Sequence, residues 1–338
     1  MKAVIPVAGV GTRLRPHTHT TPKALIHVAG KPIIGYILDK LVSLGVEDVV
    51  LVVGYLGDQI IQYVTKEYTF RCLEYVTQKE RKGLGHAISL TEPLVEEEPV
   101  LIVYGDTIFE GDLRNGIDNR VDGKIGVKPV EDPRRFGVVQ VEGNRIVRLV
   151  EKPPQFVSNL AIAGVNYIRN SALLFRCLRE LLEKKITTRG EYQVTDAFQR
   201  MMEKGACLEV FSVENWFDCG NLETLLATNR HLLSKQKGDV DRPGSIIRPP
   251  VYIAPSAVIV DSVIGPYASI ADGACIEESI VKDCIVGEQA VVCSCLLSGS
   301  LIGDHAQVHG YAQRLNVGDS SEVHLGGGTT EDRKSVSE

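Results

Sequence analysis

Lys2-Ala3-Val4-Ile5-Pro6-Val7-Ala8-Gly9-Val10-Gly11-Thr12-Arg13-Leu14-Arg15-Pro16 opens with an apolar, β-branched run that breaks off at a glycine-rich turn. Such a run reads as a buried parallel strand, placed here over Ala3–Val7. Val49–Val53 and Val100–Tyr104 repeat the pattern, each followed by a Gly-containing turn. Between them Pro32–Leu44 is amphipathic, starts with a favoured N1 proline and stops at Gly45, while Asp58–Glu67 and Leu84–Leu94 also read as helices. Strands alternating with helices imply a three-layer α/β sheet with ligands at the carboxyl ends of its strands.

The period then changes. Lys235–Pro250 carries Gly238, Pro243, Pro249 and Pro250 among charges and reads as a linker, which assigns residues 1–234 to the first domain. Beyond it Val258, Ile264, Ile270 and Ile276 recur every six residues; after a phase slip Ile280, Val286 and Val292 do so again, then Ile302 and Val308. Four positions after these aliphatics stand small residues, Ser262, Ala268, Ala274, Cys284, Ala290 and Ala306. An inward aliphatic with a small residue at a tight corner predicts a parallel β-helix over 251–324, where an antiparallel meander would show period two. With roughly three to four coils it needs the first domain or another subunit as a cap. Residues 325–338 read as a disordered tail.

Composition narrows the function. The chain has 338 residues, 44% of them hydrophobic, enough for a sizeable core without metal or disulfide support. A net charge of −6 with no basic stripe argues against a nucleic-acid partner. Neither a signal peptide nor a bilayer-spanning run is read, and eight cysteines without a CxxC pair read as reduced thiols of a cytoplasmic protein.

Gly9 and Gly11 let backbone N–H groups approach a polyphosphate, and Arg13 offers a bidentate guanidinium. The loop is neither a Walker A sequence nor a full GxGxxG, and alone it is equally a tight turn. Lys23, in Pro22-Lys23-Ala24-Leu25, supplies a compact positive charge or is simply an exposed loop lysine. Gln78 can pair with a base, and the glycines of Lys82-Gly83-Leu84-Gly85-His86-Ala87 let a base pack flat; in isolation this is a helix start, with His86 a helix residue rather than a ligand. Asp106, at the tip of Val100–Tyr104, is placed to hold a hard cation bridging phosphates or to cap a helix, and Asp218 in Trp216-Phe217-Asp218-Cys219-Gly220 is a second candidate. Glu151-Lys152-Pro153 adds an acid–base pair after a strand, with a surface pair as its plainer reading, and Gly190-Glu191 with Thr195-Asp196 opens a helix.

Singly these features are weak, but their order and spacing are specific. Together with Lys31-Pro32 and Phe136-Gly137-Val138-Val139, the series over residues 1–234 resembles the sugar nucleotidyltransferase family. The resemblance implies a Rossmann-like nucleotidyltransferase domain followed by a left-handed parallel β-helix, and an enzyme that joins a nucleoside triphosphate to a hexose 1-phosphate and releases pyrophosphate. It implies that Ala8, Gly9, Gly11, Thr12 and Arg13 hold the triphosphate, that Arg13 and Lys23 balance charge at the α-phosphorus, and that Gln78 and Gly83 read the base. It gives Mg²⁺ to Asp106 and Asp218, sugar hydroxyls to Glu151, the sugar phosphate to Lys152, and the sugar pocket wall to Gly137 and Asn166.

Within the family the long form of the glucose-1-phosphate thymidylyltransferases is most similar, through Asn221, Leu225-Leu226 and Asn229-Arg230 after the Asp218 turn and through Ile264–Ile270 of the repeat. Ala8 departs from the first glycine of many of these enzymes, and Ser158-Asn159-Leu160-Ala161 and Gly83–Ala87 also resemble glucose-1-phosphate uridylyltransferases. The expected substrates are therefore glucose 1-phosphate with dTTP, or UTP as the alternative, and the short β-helix points to a homo-oligomer. Two rivals compete: a hexapeptide-repeat acyltransferase using His305 or His309, and a non-catalytic regulatory subunit, against which the presence of Arg13, Lys23 and both aspartates counts.

Overall fold

The computed structural model describes residues 1–117, 120–236 and 241–310. Its centre is a nine-stranded mixed sheet, in the order Cys72–Thr77, Asp48–Val53, Lys2–Pro6, Val100–Val103, Leu160–Ile168, Gly123–Pro129, Leu208–Ser212, Arg145–Glu151 and Gly137–Glu142. The first four strands run parallel, and Leu160–Ile168 is antiparallel to both its neighbours. Side chains alternate across the sheet as a pleated strand requires. Ala3, Ile5 and Val7 pack with the helices Ile33–Ser43, Gly57–Glu67 and Leu222–Lys235. Val4 and Ala8 face the other layer, built from Leu84–Ser89, Ser171–Glu183 and Val194–Glu203.

The expected strands and helices are present, with local differences. Pro32 stands at the N-cap of Ile33–Ser43 rather than at its first turn. The helix expected over Leu84–Leu94 stops at Ser89, and a separate turn of helix covers Glu92–Val95. Pro93, which has no N–H for a continuing ladder, and the Thr91 hydroxyl, which donates to the Ile88 carbonyl at 2.8 Å, account for the break.

The C-terminal part is a triangular prism of three parallel sheets, each of four short strands. One face runs through Ile246–Ile247, Val263–Ile264, Ile280–Lys282 and Leu296–Ser298; the registers give 17, 17 and 16 residues per coil. The first of these strands falls inside the stretch read as linker. Coils shorter than three full hexapeptides also displace the inward positions. Ile264, Ile270, Ile276, Val286 and Val292 are interior as expected, but Val258 and Ile280 are 50% and 45% exposed, and Ile259 and Val281 fill the core in their place. Of the expected repeat region only residues to 310 are described, and the tail expected at 325–338 lies outside the described residues.

The prism docks on the first domain through Asn229, which is fully buried. Its Oδ1 accepts from the Ala29 N–H (2.8 Å) and the Ser269 hydroxyl (2.7 Å), and its Nδ2 donates to the Tyr267 carbonyl (3.1 Å). Beside it the ring of Tyr252 lies where a Cβ on Gly30 would be, and Arg230 makes a two-bond pair with Asp283 at 2.6 and 2.8 Å.

Candidate active site

The carboxyl ends of the parallel strands open into two adjoining clefts. The first, about 530 Å³, is walled by the loop after Lys2–Pro6 with Ala8, Gly9, Gly11, Thr12 and Arg13, and by Lys23, Gln78, Gly83 and Asp106. Gly11 has φ +67°, and a Cβ there would meet Lys23 and Thr18 at 3.0 Å, so the loop turns only with glycine at this position. Arg13 and Lys23 are presented by single 3₁₀ turns, Thr12–Leu14 and Lys23–Leu25.

Lys23 Nζ donates to Asp106 Oδ2 at 2.7 Å. Burial pushes the Asp106 carboxyl up, but the Lys23 ammonium, the Thr107 hydroxyl and the Arg13 guanidinium outweigh it and hold it below the ordinary carboxylate value. The ladder between Thr107–Glu110 and Asn215–Asp218 sets Asp218 opposite Thr107, and the Cys219 N–H donates to the Asp106 carbonyl at 3.1 Å. Two carboxylates 112 positions apart in the chain are thus carried on adjacent backbone. The Asp218 carboxyl is raised, first by burial and then by the Asp106 charge, against Lys23, Arg13 and Arg135. A Cβ on Gly220 would fall 2.8 Å from Asp218 Oδ1 and 3.0 Å from Arg13 Nη2, so a side chain there would push the ends of both groups aside.

The second cleft, about 310 Å³, shares Arg13, Tyr104 and Asp106 with the first and adds Gly137, Glu151, Lys152, Thr195 and Asp218. Thr195 donates to Glu151 Oε2 at 2.8 Å, and Lys152 Nζ lies 3.3 Å from Glu151 Oε1. Lys152 has φ +43°, a conformation that costs a non-glycine residue about 1–2 kcal/mol. Its N–H bond to the Phe136 carbonyl (2.9 Å) and the bond from Arg189 to its own carbonyl (2.9 Å) hold it there.

Asn166, expected on the wall of the sugar pocket, lines neither cleft. It is fully buried in Leu160–Ile168, paired with Ile102 on one side and Ile125 on the other. Tyr104 occupies that wall, its ring seated over Gly164, whose φ of +83° leaves room for it. Tyr104 was read only as a strand end, Thr195 only as part of a helix start, and Arg135 not at all. Arg135 directly precedes the Phe136-Gly137 signature, and that adjacency is the signal that marks it.

The chain belongs to the nucleotidyl transferase family, whose model matches residues 2–235. It is similar to a glucose-1-phosphate thymidylyltransferase of Streptomyces antibioticus, 31% identical over 359 residues that take in 96% of this chain and 99% of the relative. It is also similar to a UTP–glucose-1-phosphate uridylyltransferase of Haloferax volcanii, 35% identical over 64% of this chain and 89% of the relative. Among solved structures, a protein of Bacillus anthracis described as a glucose-1-phosphate thymidylyltransferase shares the fold, with a TM-score of 0.60 at 24% identity over 71% of this chain and 98% of that one.

Proposed function

We propose that this enzyme transfers a nucleoside monophosphate from dTTP or UTP to glucose 1-phosphate, releasing pyrophosphate, and that it works in the cytoplasm. The observation that carries the reading is the pair of adjoining clefts with Arg13, Lys23, Asp106 and Asp218 at and around their junction. Among the described residues no helix is long and apolar enough to cross a membrane.

The attacking oxygen of a sugar phosphate is already anionic, so no general base or covalent intermediate is needed. The barrier is repulsion between two polyanions, removed by fixed cations and alignment. Gly9, Gly11 and Thr12 present the loop backbone to the triphosphate, with Gln78 and Gly83 at the base. Arg13 and Lys23 stabilise charge at the α-phosphorus as the new phosphorus–oxygen bond forms in line and the α–β bond breaks. Lys152 and Arg135 hold the sugar phosphate, and Glu151, fixed by Thr195, accepts from sugar hydroxyls.

The residues fit a divalent ion. Two mutually repelling carboxylates, without a third His, Cys, Asp or Glu in a metal-binding group among the described residues, suit Mg²⁺, which takes one or two carboxylates and completes its shell with phosphate and water oxygens. When bound at Asp106 and Asp218, Mg²⁺ supplies charge neutralisation to the phosphates. The test is pyrophosphate release with glucose 1-phosphate, Mg²⁺ and each of dTTP, UTP, GTP, CTP and ATP. Release with dTTP or UTP is expected, and release with none of them would overturn the proposal.

A further inference from the structure

Gln78 follows the strand Cys72–Thr77, anchored by its N–H bond to the Val53 carbonyl at 2.8 Å, and the residue is 8% exposed at the wall of the first cleft. Its Nε2 lies 3.0 Å from the Gly83 carbonyl and 3.0 Å from His86 Nδ1. A carbonyl only accepts, so the nitrogen end of the amide faces Gly83 and its two hydrogens serve Gly83 and His86. That requires His86 Nδ1 to accept, with the ring proton on Nε2. Burial and then the Lys82 ammonium, against Glu80, keep the ring below its ordinary pKa and favour this neutral form.

The scaffold around the pair is tightly set. The Gly85 N–H donates to the Tyr192 carbonyl at 2.8 Å, and a Cβ on Gly83 (φ +101°) would come within 2.6 Å of that same oxygen. Among the described residues nothing donates to Gln78 Oε1, and the Gly83 N–H has no acceptor. An acceptor, Gln78 Oε1, and a donor, the Gly83 N–H, thus stand without partners among the described residues, on neighbouring residues that line the first cleft.

We propose that His86 is a positioning residue for base choice: by taking the second Gln78 hydrogen it fixes the amide plane with Oε1 toward the cleft. The site then admits pyrimidines that carry a ring N–H beside a carbonyl, uracil and thymine, and rejects cytosine and adenine, whose ring nitrogen there is an acceptor. The inference rests on the nucleotidyl transfer proposed above and names the feature of the base that the site reads.

Two variants test it, His86→Leu, which removes the acceptor, and His86→Asn, which keeps one near the Nδ1 position. Titration calorimetry with UMP, dTMP, CMP and AMP is run beside pyrophosphate-release kinetics. The wild type is expected to bind UMP and dTMP in preference to CMP and AMP. His86→Leu is expected to weaken UMP and dTMP binding by about three- to tenfold, the worth of one net hydrogen bond, with the KM for glucose 1-phosphate unchanged and His86→Asn close to wild type. Equal binding of CMP and UMP by the wild type, unaltered selectivity in His86→Leu, or an equal loss in His86→Asn overturns the inference. UMP-over-CMP selection in a chain that releases no pyrophosphate would leave the inference standing and remove the transfer reading instead.

Discussion

Replacing Gly137 with alanine tests the sugar cleft with a single methyl group. Gly137 pairs with Glu151 across two antiparallel strands, and its φ lies outside the left-handed region, so alanine brings no backbone strain. The new Cβ would stand 2.8 Å from both Glu151 Oε2 and Thr195 Oγ1 and 3.0 Å from Ile162 Cδ1, and real Cβ atoms essentially never come below 3.0 Å. The backbone on either side is tied into the sheet, so the carboxylate and the hydroxyl must give way, and their 2.8 Å bond is the first casualty. A hydrogen bond to a charged group is worth about 1.5–3 kcal/mol, so misplacing the one between Glu151 and a sugar hydroxyl should lower kcat/KM for glucose 1-phosphate by about 10- to 150-fold. The same ratio for the nucleotide should stay within about threefold, because that substrate uses the other cleft. Initial rates of pyrophosphate release, with each substrate varied in turn, give both values. A folded Gly137→Ala enzyme with unchanged sugar kinetics, or with equal losses for both substrates, would refute the assignment of Glu151.

Asp106→Asn and Asp218→Asn should each cut turnover by about 100-fold or more and raise the Mg²⁺ concentration for half-maximal rate; full activity in either removes that carboxylate from the metal site. Asn229→Ala should cost about 2–5 kcal/mol in urea unfolding, since it strips partners from the buried Ala29 N–H, the Ser269 hydroxyl and the Tyr267 carbonyl, and a loss under 1 kcal/mol would show the contact to be incidental. Asp48, 6% exposed, is held below the ordinary carboxylate value by its Arg71 hydrogen bond, so the stability it contributes is present above its unfolded pKa and lost as pH falls through the lower folded value. Arg71→Ala should therefore be less stable at neutral pH and lose less on acidification below about pH 4; parallel acid-unfolding curves for the two proteins would contradict this.

The sequence was most legible where one residue type has one structural use. The run Ala3–Val7 into Gly9 and Gly11 reads as strand and turn because both faces of the strand are apolar and the turn takes a positive φ at Gly11. The prism was legible from its six-residue beat, and so were most of its inward positions, but Val258 and Ile280 were not. A three-residue strand has too little alternation to fix which neighbour points in, and the shortened coils exchanged Val258 for Ile259 and Ile280 for Val281. Charged site residues in short motifs stood out, as Lys23 after Pro22, Asp106 after Gly105 and Lys152 after Glu151 did. Tyr104, Thr195 and Arg135 did not, because their positions depend on the bulge at Gly164, a helix 44 residues from Glu151, and a turn before Gly137. No local pattern carries the Tyr104 and Thr195 pairings, and for Arg135 only its place before Phe136-Gly137 gives a signal. The Gln78–His86 contact was hidden differently: both residues were on view, but only the direction of one amide reveals that they act together.

The docking of the prism has a mechanical side. The Ala29-Gly30 turn pressed against Tyr252 lies six and seven residues after Lys23, and His17, four residues after Arg13, sits so near Gly303 of the last coil that a Cβ there would meet its Nδ1 at 3.2 Å. The segment carrying both cationic groups is thus splinted from behind by strands that never meet the substrate clefts. Its stiffness is set by a stack of short coils, each ordered only through its neighbours and its seat on the first domain. Warming that loosens the stack would slacken the phosphate-facing loop while the nine-stranded sheet is still intact. The upper working temperature of the enzyme would then be written in its prism rather than in its catalytic core.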